Sequence, residues 1–307
     1  MVKKRASEQS KKKASAKIIE HKDDNNKPRN HLILDAAKPF FFDYTQFGSK
    51  VRMTIHQTPS AETWPGGALW DLGVILAKLL VSWTRGATYP QATPLPNALS
   101  VYSTSTWKDT TVLELGCGTG LTGLVAASLG AKVTILTDLQ VVVEQVTQRN
   151  VDENTQSGPT KLCGYRTTRA GGKVVAMPLC WGNTDEEEAT QRKLQELVKP
   201  KTTFKDNAEQ PKIYPDWILI GDVAYQQTPG APSHFDVLLS TLLKFVGPET
   251  KVLFGTRMRM PASLDLLDMF RSHLHESACV ESHELDPGLA EIGCKHNMTI
   301  HILEQRK

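Results

Sequence analysis

A cluster of glycines with acidic residues on both sides is the part of this sequence best suited to hold a ligand. Gly116, Gly118 and Gly120 directly follow the apolar segment TVLEL. Glu114 lies two residues before the first glycine, and the next apolar segment ends at Asp138. Glycine allows close approach of the backbone to a ligand. A helix beginning near Gly120 directs its N–H groups at the loop, which suits a pyrophosphate or an amino-acid carboxylate.

Two classes of cofactor fit these glycines. Gly118, Gly120 and Gly123 form the G-x-G-x-x-G pattern of NAD-binding enzymes, with Asp138 where those enzymes place a ribose-binding acid. However, the pattern starts two residues late after the strand, and a pyrophosphate beside Glu114 and Asp138 would meet charge repulsion. S-adenosylmethionine carries an ammonium, a carboxylate and a ribose but no phosphate. The sequence therefore favours S-adenosylmethionine; a dinucleotide and a purely structural tight turn are the competing interpretations.

A further acidic position follows the later apolar segment DWILIG. Asp222 comes directly after this segment, and Tyr225 lies three residues further on. Ligands of open α/β sheets bind at the carboxyl ends of the strands, so both side chains are predicted to face the same cleft as Glu114 and Asp138. A carboxylate and a phenol oxygen there can bind and aim an amino group. The histidines and cysteines are scattered, so no metal site is predicted.

The elements that position these residues alternate between strand and helix patterns. Helices are predicted near 120–129, 140–153, 233–245 and 262–275, and strands at TVLEL, KVTIL, KVVAMPL, DWILIG, KVLFG, ACVESHEL and NMTIHIL. This alternation predicts an α/β fold with a seven-stranded, mostly parallel, doubly wound sheet. The short loop between the last two strands predicts one antiparallel edge strand.

An additional unit precedes the glycine loop. The segment FFFDYTQFGSKVRMTIHQ predicts an N-terminal β-hairpin with its turn at Gly48-Ser49. Leu69, Leu72, Leu76 and Leu79 recur at helical spacing, which predicts a helix from near Trp70 after a Pro-Gly-Gly breaker.

Composition and charge predict the domain organisation of the chain and limit its possible partners and location. Residues 1–30 are polar and Lys-rich and are predicted to be a disordered basic tail, whereas 31–307 form one domain with a polar insertion at about 183–212. A net charge of +3 does not indicate nucleic-acid binding, and no apolar stretch is long enough to cross a membrane. Unpaired cysteines predict a reducing compartment, the cytoplasm or also the nucleus, and we expect a monomer.

Several stretches together resemble one known family. The E-L-G-C-G-T-G loop with Asp138 is similar to the cofactor motif of seven-stranded, class I methyltransferases. The segments GGALWDLGVILAKLL, RNVDEN, LCWG, GDVAY and FDVLLSTLLKF, in this order, resemble methyltransferase family 16 over about residues 40–306. The resemblance implies an S-adenosylmethionine-dependent enzyme that methylates lysines of non-histone proteins such as chaperones, ATPases or translation factors.

The resemblance also implies roles for individual residues. Trp70 would close over the cofactor, Asp138 would bind both ribose hydroxyls and Trp181 would stack beside adenine. Asp222 and Tyr225 would bind the acceptor nitrogen. The backbone of Gly116, Cys117 and Gly118 would face the methionine part, and Gly221 would line the cofactor. A protein histidine or small molecule as acceptor, and a cofactor-binding protein without catalysis, stay open as alternatives.

Overall fold

The computed structural model describes residues 18–19, 33–34, 38–46, 49–60, 62–63, 65–83, 107–157, 164–198, 212–224, 234–258, 261–281 and 297–306. The tail predicted over 1–30 lies outside these residues except for β1 (Ile18–Ile19), which pairs antiparallel with β2 (Ile33–Leu34). Tyr225 and the second half of the predicted insertion, 199–211, also lie outside them.

The N-terminal unit is a hairpin followed by a helix, as predicted. Strands β3 (Phe40–Gln46) and β4 (Ser49–Ile55) pair antiparallel on either side of 47–48, which lie outside the described residues. Helix α1 (Asp71–Trp83) buries the leucine stripe read from the sequence, because side chains three and four positions apart share one face.

One nine-stranded sheet forms the body of the protein. The seven predicted strands appear as β5 (Thr111–Leu115), β6 (Val133–Asp138), β9 (Lys173–Pro178), β10 (Trp217–Gly221), β11 (Lys251–Arg257), β12 (Leu274–Glu281) and β13 (Met298–Gln305). Two short strands, β7 (Gln156–Ser157) and β8 (Arg166–Thr167), extend the edge beside β9. The spatial order is β12-β13-β11-β10-β5-β6-β9-β8-β7, and β11, β10, β5, β6 and β9 are parallel.

At the other side of the sheet, the antiparallel strand predicted at the edge from the last short loop lies in a different position; β8 is a further antiparallel strand, paired with β9 and β7. Strand β13 pairs antiparallel with both β11 and β12, so it lies one place in from the edge, and the edge strand β12 runs parallel to β11. The short connection does join an antiparallel pair. The chain places the last strand between its two predecessors, which the length of the loop alone does not reveal.

Helices cover both faces of the sheet. They are α2 (Leu121–Ser128), α3 (Gln140–Val142, a π-helical turn Val143–Thr147, and Gln148–Asn154), α4 (Thr184–Val198), α5 (Phe235–Phe245) and α6 (Pro261–His273). Along β5, Val112 packs in the core beneath α1 and α2, whereas Leu113 and Leu115 pack in the core beneath α4, α5 and α6. The period of two in a strand produces these two cores. Across the described ranges, no helix is long and apolar enough to span a bilayer.

Candidate active site

A cavity of about 320 Å³ opens at the carboxyl ends of β5, β6 and β10. It brings together most of the residues singled out from the sequence: Trp70, Glu114, Gly116, Cys117, Gly118, Asp138, Trp181, Gly221 and Asp222. Tyr225 is the exception, because it lies outside the described residues. The cavity follows the parallel arrangement of the strands, whose carboxyl ends all reach this edge of the sheet.

The glycine loop turns tightly, and two of its N–H groups donate to backbone carbonyls of the protein. Gly116, Gly118 and Gly120 have φ values of 68°, 53° and 78°, a region in which side chains are strained. The N–H of Cys117 donates to the carbonyl of Thr137 at 2.9 Å, and the N–H of Gly120 donates to the carbonyl of Cys117 at 2.8 Å. Burial raises the pKa of the Cys117 thiol well above its usual value, so this thiol stays protonated.

Glu114 occupies the amino end of α2. Its Oε2 accepts a hydrogen bond from the N–H of Gly123 at 2.9 Å, and its side chain is buried beneath the loop. Burial raises the pKa of Glu114 to about 8, and the carboxylate of Asp138 adds to this increase. The end of the helix that attracts anions in dinucleotide sites is thus already bound to an acidic side chain.

Asp138 ties the loop to the end of β6. Its Oδ2 accepts from the N–H of Gly118 at 2.7 Å, and its Oδ1 accepts from the N–H of Leu139 at 2.8 Å. Burial raises the pKa of Asp138 to about 6. A carboxylate can accept about four hydrogen bonds, so Asp138 retains acceptor capacity toward the cavity.

These contacts decide how well each cofactor class fits. The N–H groups of Cys117, Gly118 and Gly120 all have acceptors within the protein, and Gly123 donates to Glu114. A pyrophosphate would find these donors engaged and the carboxylate of Asp138 close by. A nucleoside without phosphate instead matches a carboxylate with acceptor capacity next to an apolar wall that includes Leu139 and Val142. The residues fit S-adenosylmethionine.

Helix α3 holds the carbonyl side of the loop. The hydroxyl of Thr147, at the end of the π-helical turn, donates to the carbonyl of Gly118 at 2.7 Å. The buried amide of Asn150 donates to the carbonyls of Thr119 and His56 and accepts from the N–H of His56. Asn154 binds both backbone groups of Thr54 in the same manner. Asn150 and Asn154 therefore bind strand β4 and His56 to helix α3, the helix that also holds the glycine loop.

The Pro-Gly-Gly segment closes another side of the cavity, a role that sequence reasoning missed. A Cβ on Gly118 would lie 3.0 Å from the carbonyl oxygen of Gly66, and a Cβ on Gly66 would lie 3.0 Å from Val142. Trp70 is fixed by its indole N–H, which donates to the carbonyl of Pro65 at 3.2 Å. Gly66, interpreted from the sequence as part of a helix breaker, is also needed for this close approach.

Trp181 packs directly on the loop. A Cβ on Gly116 would lie 3.2 Å from Cζ2 of Trp181 and 3.1 Å from Val223. The polar insertion holds Trp181 in place, since Glu186 of α4 accepts from the N–H of Cys180. On the other side, the N–H of Gly182 donates to Thr241, whose hydroxyl donates to the buried Glu187. The described half of the insertion is thus a support for the cavity wall.

Asp222 lines the cavity immediately after β10. Its φ of 54° is left-handed, a conformation that Asp and Asn tolerate better than other residues with side chains. Its N–H donates to the carbonyl of Gly255 at 3.0 Å. Gly221 is constrained by α1, because a Cβ there would lie 3.1 Å from Leu76. The backbone at the end of β10 therefore directs a carboxylate into the cavity.

Other lining residues were not identified from the sequence. Leu139 and Val142 follow the acid of β6, and His234 and Val237 belong to the start of α5. Leu139 is 49% exposed, and a large apolar residue beside a strand-end acid is a signal that sequence reasoning could have used.

A second group of potential ligands lies on β12 and β13. Donor atoms of Glu276, Cys279 and His301 lie within 4.8 Å of one another, although the sequence predicted no such cluster. His301 is buried, and its two ring nitrogens lie 2.6 Å from Oε1 of Glu276 and 2.8 Å from Oγ1 of Thr299. Arg271 binds Glu276 through two nitrogens. With both imidazole nitrogens engaged, the cluster is a hydrogen-bonded network.

Comparison with known proteins identifies a matching family. Residues 49–200 match the model of a family described as lysine methyltransferase. This range includes β4, α1, the glycine loop, Asp138 and Trp181.

Similar proteins include two that are named as lysine methyltransferases. Protein N-lysine methyltransferase METTL21A of Xenopus tropicalis is 28% identical over 204 residues, which cover 65% of this chain and 69% of the relative. EEF1A lysine methyltransferase 3 of the same organism is 28% identical over 154 residues, 50% of this chain and 49% of the relative. Among solved structures, a T. thermophilus 16S rRNA methyltransferase in complex with AdoMet and guanosine aligns with a TM-score of 0.45 at 13% identity, covering 88% of this chain and 51% of that one.

Proposed function

We propose that this chain, whose residues 49–200 match the lysine methyltransferase family, uses S-adenosylmethionine to methylate a lysine side chain of a protein. The observation that carries the proposal is the single cavity shared by Asp138, the glycine loop and Asp222. One end of the cavity suits a nucleoside without phosphate. The other end presents a carboxylate, which suits a primary amine.

The cofactor end of the cavity is assigned to S-adenosylmethionine. Asp138 has acceptor capacity for the ribose hydroxyls, Trp181 offers a ring face for adenine, and the backbone at Gly116 leaves room beside both. When bound, S-adenosylmethionine supplies an electrophilic methyl group on a positively charged sulfur. Trp70 and the segment at Gly66 close the cavity from the side of α1.

Asp222 is assigned to the acceptor amine. A lysine must be neutral to act as a nucleophile, yet with a pKa near 10.4 it is almost entirely charged at pH 7, a cost of roughly 4–5 kcal/mol. A neighbouring carboxylate favours the charged amine, so Asp222 does not lower this cost. Its role is to bind and orient the amine, whose proton leaves to water. Positioning of this kind supplies much of the rate in reactions between two bound groups.

The names of two relatives indicate the class of molecule that accepts the methyl group. METTL21A is named for protein lysine methylation in general, and EEF1A lysine methyltransferase 3 for a translation factor. Both are 28% identical to this chain over their aligned residues, and their names favour a protein acceptor. The predicted monomer and the predicted cytoplasmic or nuclear location remain predictions.

The test is methylation of a cell extract with S-adenosylmethionine labelled in the methyl group. We expect label in one or a few proteins, and mass spectrometry should place it on lysine. Asp222→Asn preserves the size and the left-handed backbone of Asp222, and we expect it to abolish labelling. Label on histidine or on small molecules would contradict lysine as the acceptor. Binding of NADH in place of S-adenosylhomocysteine would contradict the methyltransferase function itself.

A further inference from the structure

A buried ion pair lies behind the acceptor end of the cavity. Asp71 is the first residue of α1, and its Oδ1 binds Nη2 of Arg257, the last residue of β11. Asp71 is 5% exposed and Arg257 is 1% exposed. The N–H of Leu72 also donates to Asp71 at 3.1 Å, and the hydroxyl of Ser263 donates to the carbonyl of Arg257 at 2.8 Å.

This pair is close to Asp222. Helix α1 crosses the ends of β10 and β11, where a Cβ on Gly221 or Gly255 would lie 3.1 Å or 3.0 Å from Leu76. The N–H of Asp222 donates to the carbonyl of Gly255, two residues before Arg257 on the same strand. Burial raises the pKa of Asp71, Arg257 opposes this increase, and the carboxylate of Asp222 adds to it, so the charges of Asp71 and Asp222 interact. Two acids and one guanidinium therefore share this corner.

We propose that Asp71 is a positioning residue that neutralises Arg257 and so keeps the negative charge of Asp222 directed at the acceptor ammonium. This inference rests on the proposed function and adds a residue to it. Arg257 remains charged at every accessible pH and is buried. Without Asp71, the charge of Arg257 would act on this corner with no opposing charge from α1, and the net charge of these three side chains would change from −1 to 0.

The two partners respond differently to removal, and this asymmetry makes the proposal testable. Asp71 can accept a proton, and burial already raises its pKa. Loss of Arg257 is therefore compensated when Asp71 becomes protonated, and the cluster keeps one negative charge, on Asp222. Loss of Asp71 has no such compensation, because arginine does not lose its proton in proteins.

Other titratable groups face the same cavity and set the background for a pH measurement. They are Glu114, Cys117, Asp138, Cys180 and His234. None of them is altered in the variants below, so their contributions are the same in every sample.

The experiment compares Asp71→Asn, Arg257→Gln and the double variant with the parent. The rate of methyl transfer to the acceptor found by the labelling experiment is measured from pH 6 to 10. S-adenosylhomocysteine affinity, by calorimetry, and thermal unfolding are recorded for each protein. Failure of the parent to label any protein would reject the proposed function itself, before any variant is compared.

We expect Asp71→Asn to raise the acceptor concentration at half-maximal rate about tenfold and to move the midpoint of the pH–rate profile about one unit to the acid side, the size of one added charge at a high effective dielectric constant. Arg257→Gln is expected to lose stability but to keep the midpoint of the parent. The double variant should restore both the midpoint and most of the acceptor affinity.

A merely structural ion pair gives a different pattern. Both single variants and the double variant would then lose rate together with stability, and all midpoints would stay where they are in the parent. That result, or a double variant no better than Asp71→Asn, would overturn the proposal.

Discussion

The two ends of the cavity are built in different ways. The glycine loop and Asp138 of the cofactor end come from one continuous stretch, 112–139, and their central hydrogen bond from Gly118 to Asp138 spans 20 residues. The acceptor end joins three distant segments, and its ion pair between Asp71 and Arg257 spans 186 residues. One end relies on local backbone hydrogen bonds, the other on charges brought together by packing.

This difference implies that the two ends can be damaged separately. The loop at the cofactor end is held by β5, β6 and α3, none of which carries Asp222. The acceptor end depends on the packing of α1 against β10 and β11. Changes at one end should therefore affect binding of the nucleoside, and changes at the other should affect methyl transfer.

The largest expected effect is at Asp222. Asp222→Asn removes the charge that binds the acceptor ammonium but keeps a residue that tolerates φ of 54°. We expect methyl transfer to fall at least about 100-fold with little change in thermal stability. Asp222→Ala is the less suitable variant, because alanine is strained in this conformation. Retention of more than a tenth of the parent rate would contradict the assignment.

A smaller effect is expected at Asp138, where the quantity that falls is the affinity for S-adenosylhomocysteine. Asp138→Ala removes the acceptor for the ribose hydroxyls together with the anchor of the Gly118 N–H. We expect the affinity for S-adenosylhomocysteine to fall about 30- to 100-fold, the size of one or two charge-assisted hydrogen bonds, by calorimetry. Exposed Asp152, on α3 but outside the cavity lining, is the control, and Asp152→Ala should bind as the parent does.

Glu114 should make stability depend on pH. Its pKa is raised to about 8 in the folded protein and is near 4.5 when unfolded, so the folded state holds the proton more tightly. The resulting stabilisation is complete below about pH 4.5 and is lost as pH rises through about 8. We expect the free energy of unfolding to fall by about 2 kcal/mol or more from pH 5 to 8. Urea titrations check this, and Glu114→Gln should flatten the slope.

The smallest effect separates crowding from backbone strain. Gly116 and Gly171 both have positive φ, but a Cβ at Gly116 would lie 3.1 Å from Val223 whereas nothing lies within 4 Å of one at Gly171. Gly116→Ala should therefore cost about 1 kcal/mol more in unfolding free energy than Gly171→Ala, by the same titrations. Equal losses would mean that strain alone accounts for the glycine at 116.

Local sequence patterns were sufficient to predict the glycine loop and Asp138 at the cofactor end. The strand-loop-helix order around Gly116 and the acid at Asp138 lie close together in the chain, so their contacts follow from the elements themselves. The alternating strands and helices likewise predicted the sheet, although not the position of β13. That position depends on pairing with two strands at once, which no local pattern encodes.

Only part of the acceptor end could be predicted from the sequence. Asp222 could be placed because it ends a strand, but the neighbourhood of Asp71 and Arg257 depends on how α1 crosses the sheet. The same holds for the cluster at His301, whose partner Glu276 lies 25 residues away on another strand. The spacing of such buried charged residues along the sequence does not predict their contact, because only the packing of distant elements brings them together.

The most direct test of separate roles is calorimetric titration of S-adenosylhomocysteine into the parent, Asp222→Asn and Asp138→Ala side by side. We expect Asp222→Asn to bind within about twofold of the parent while Asp138→Ala loses most of its affinity. Equal loss of affinity in both variants would contradict the division of the cavity into a cofactor end and an acceptor end.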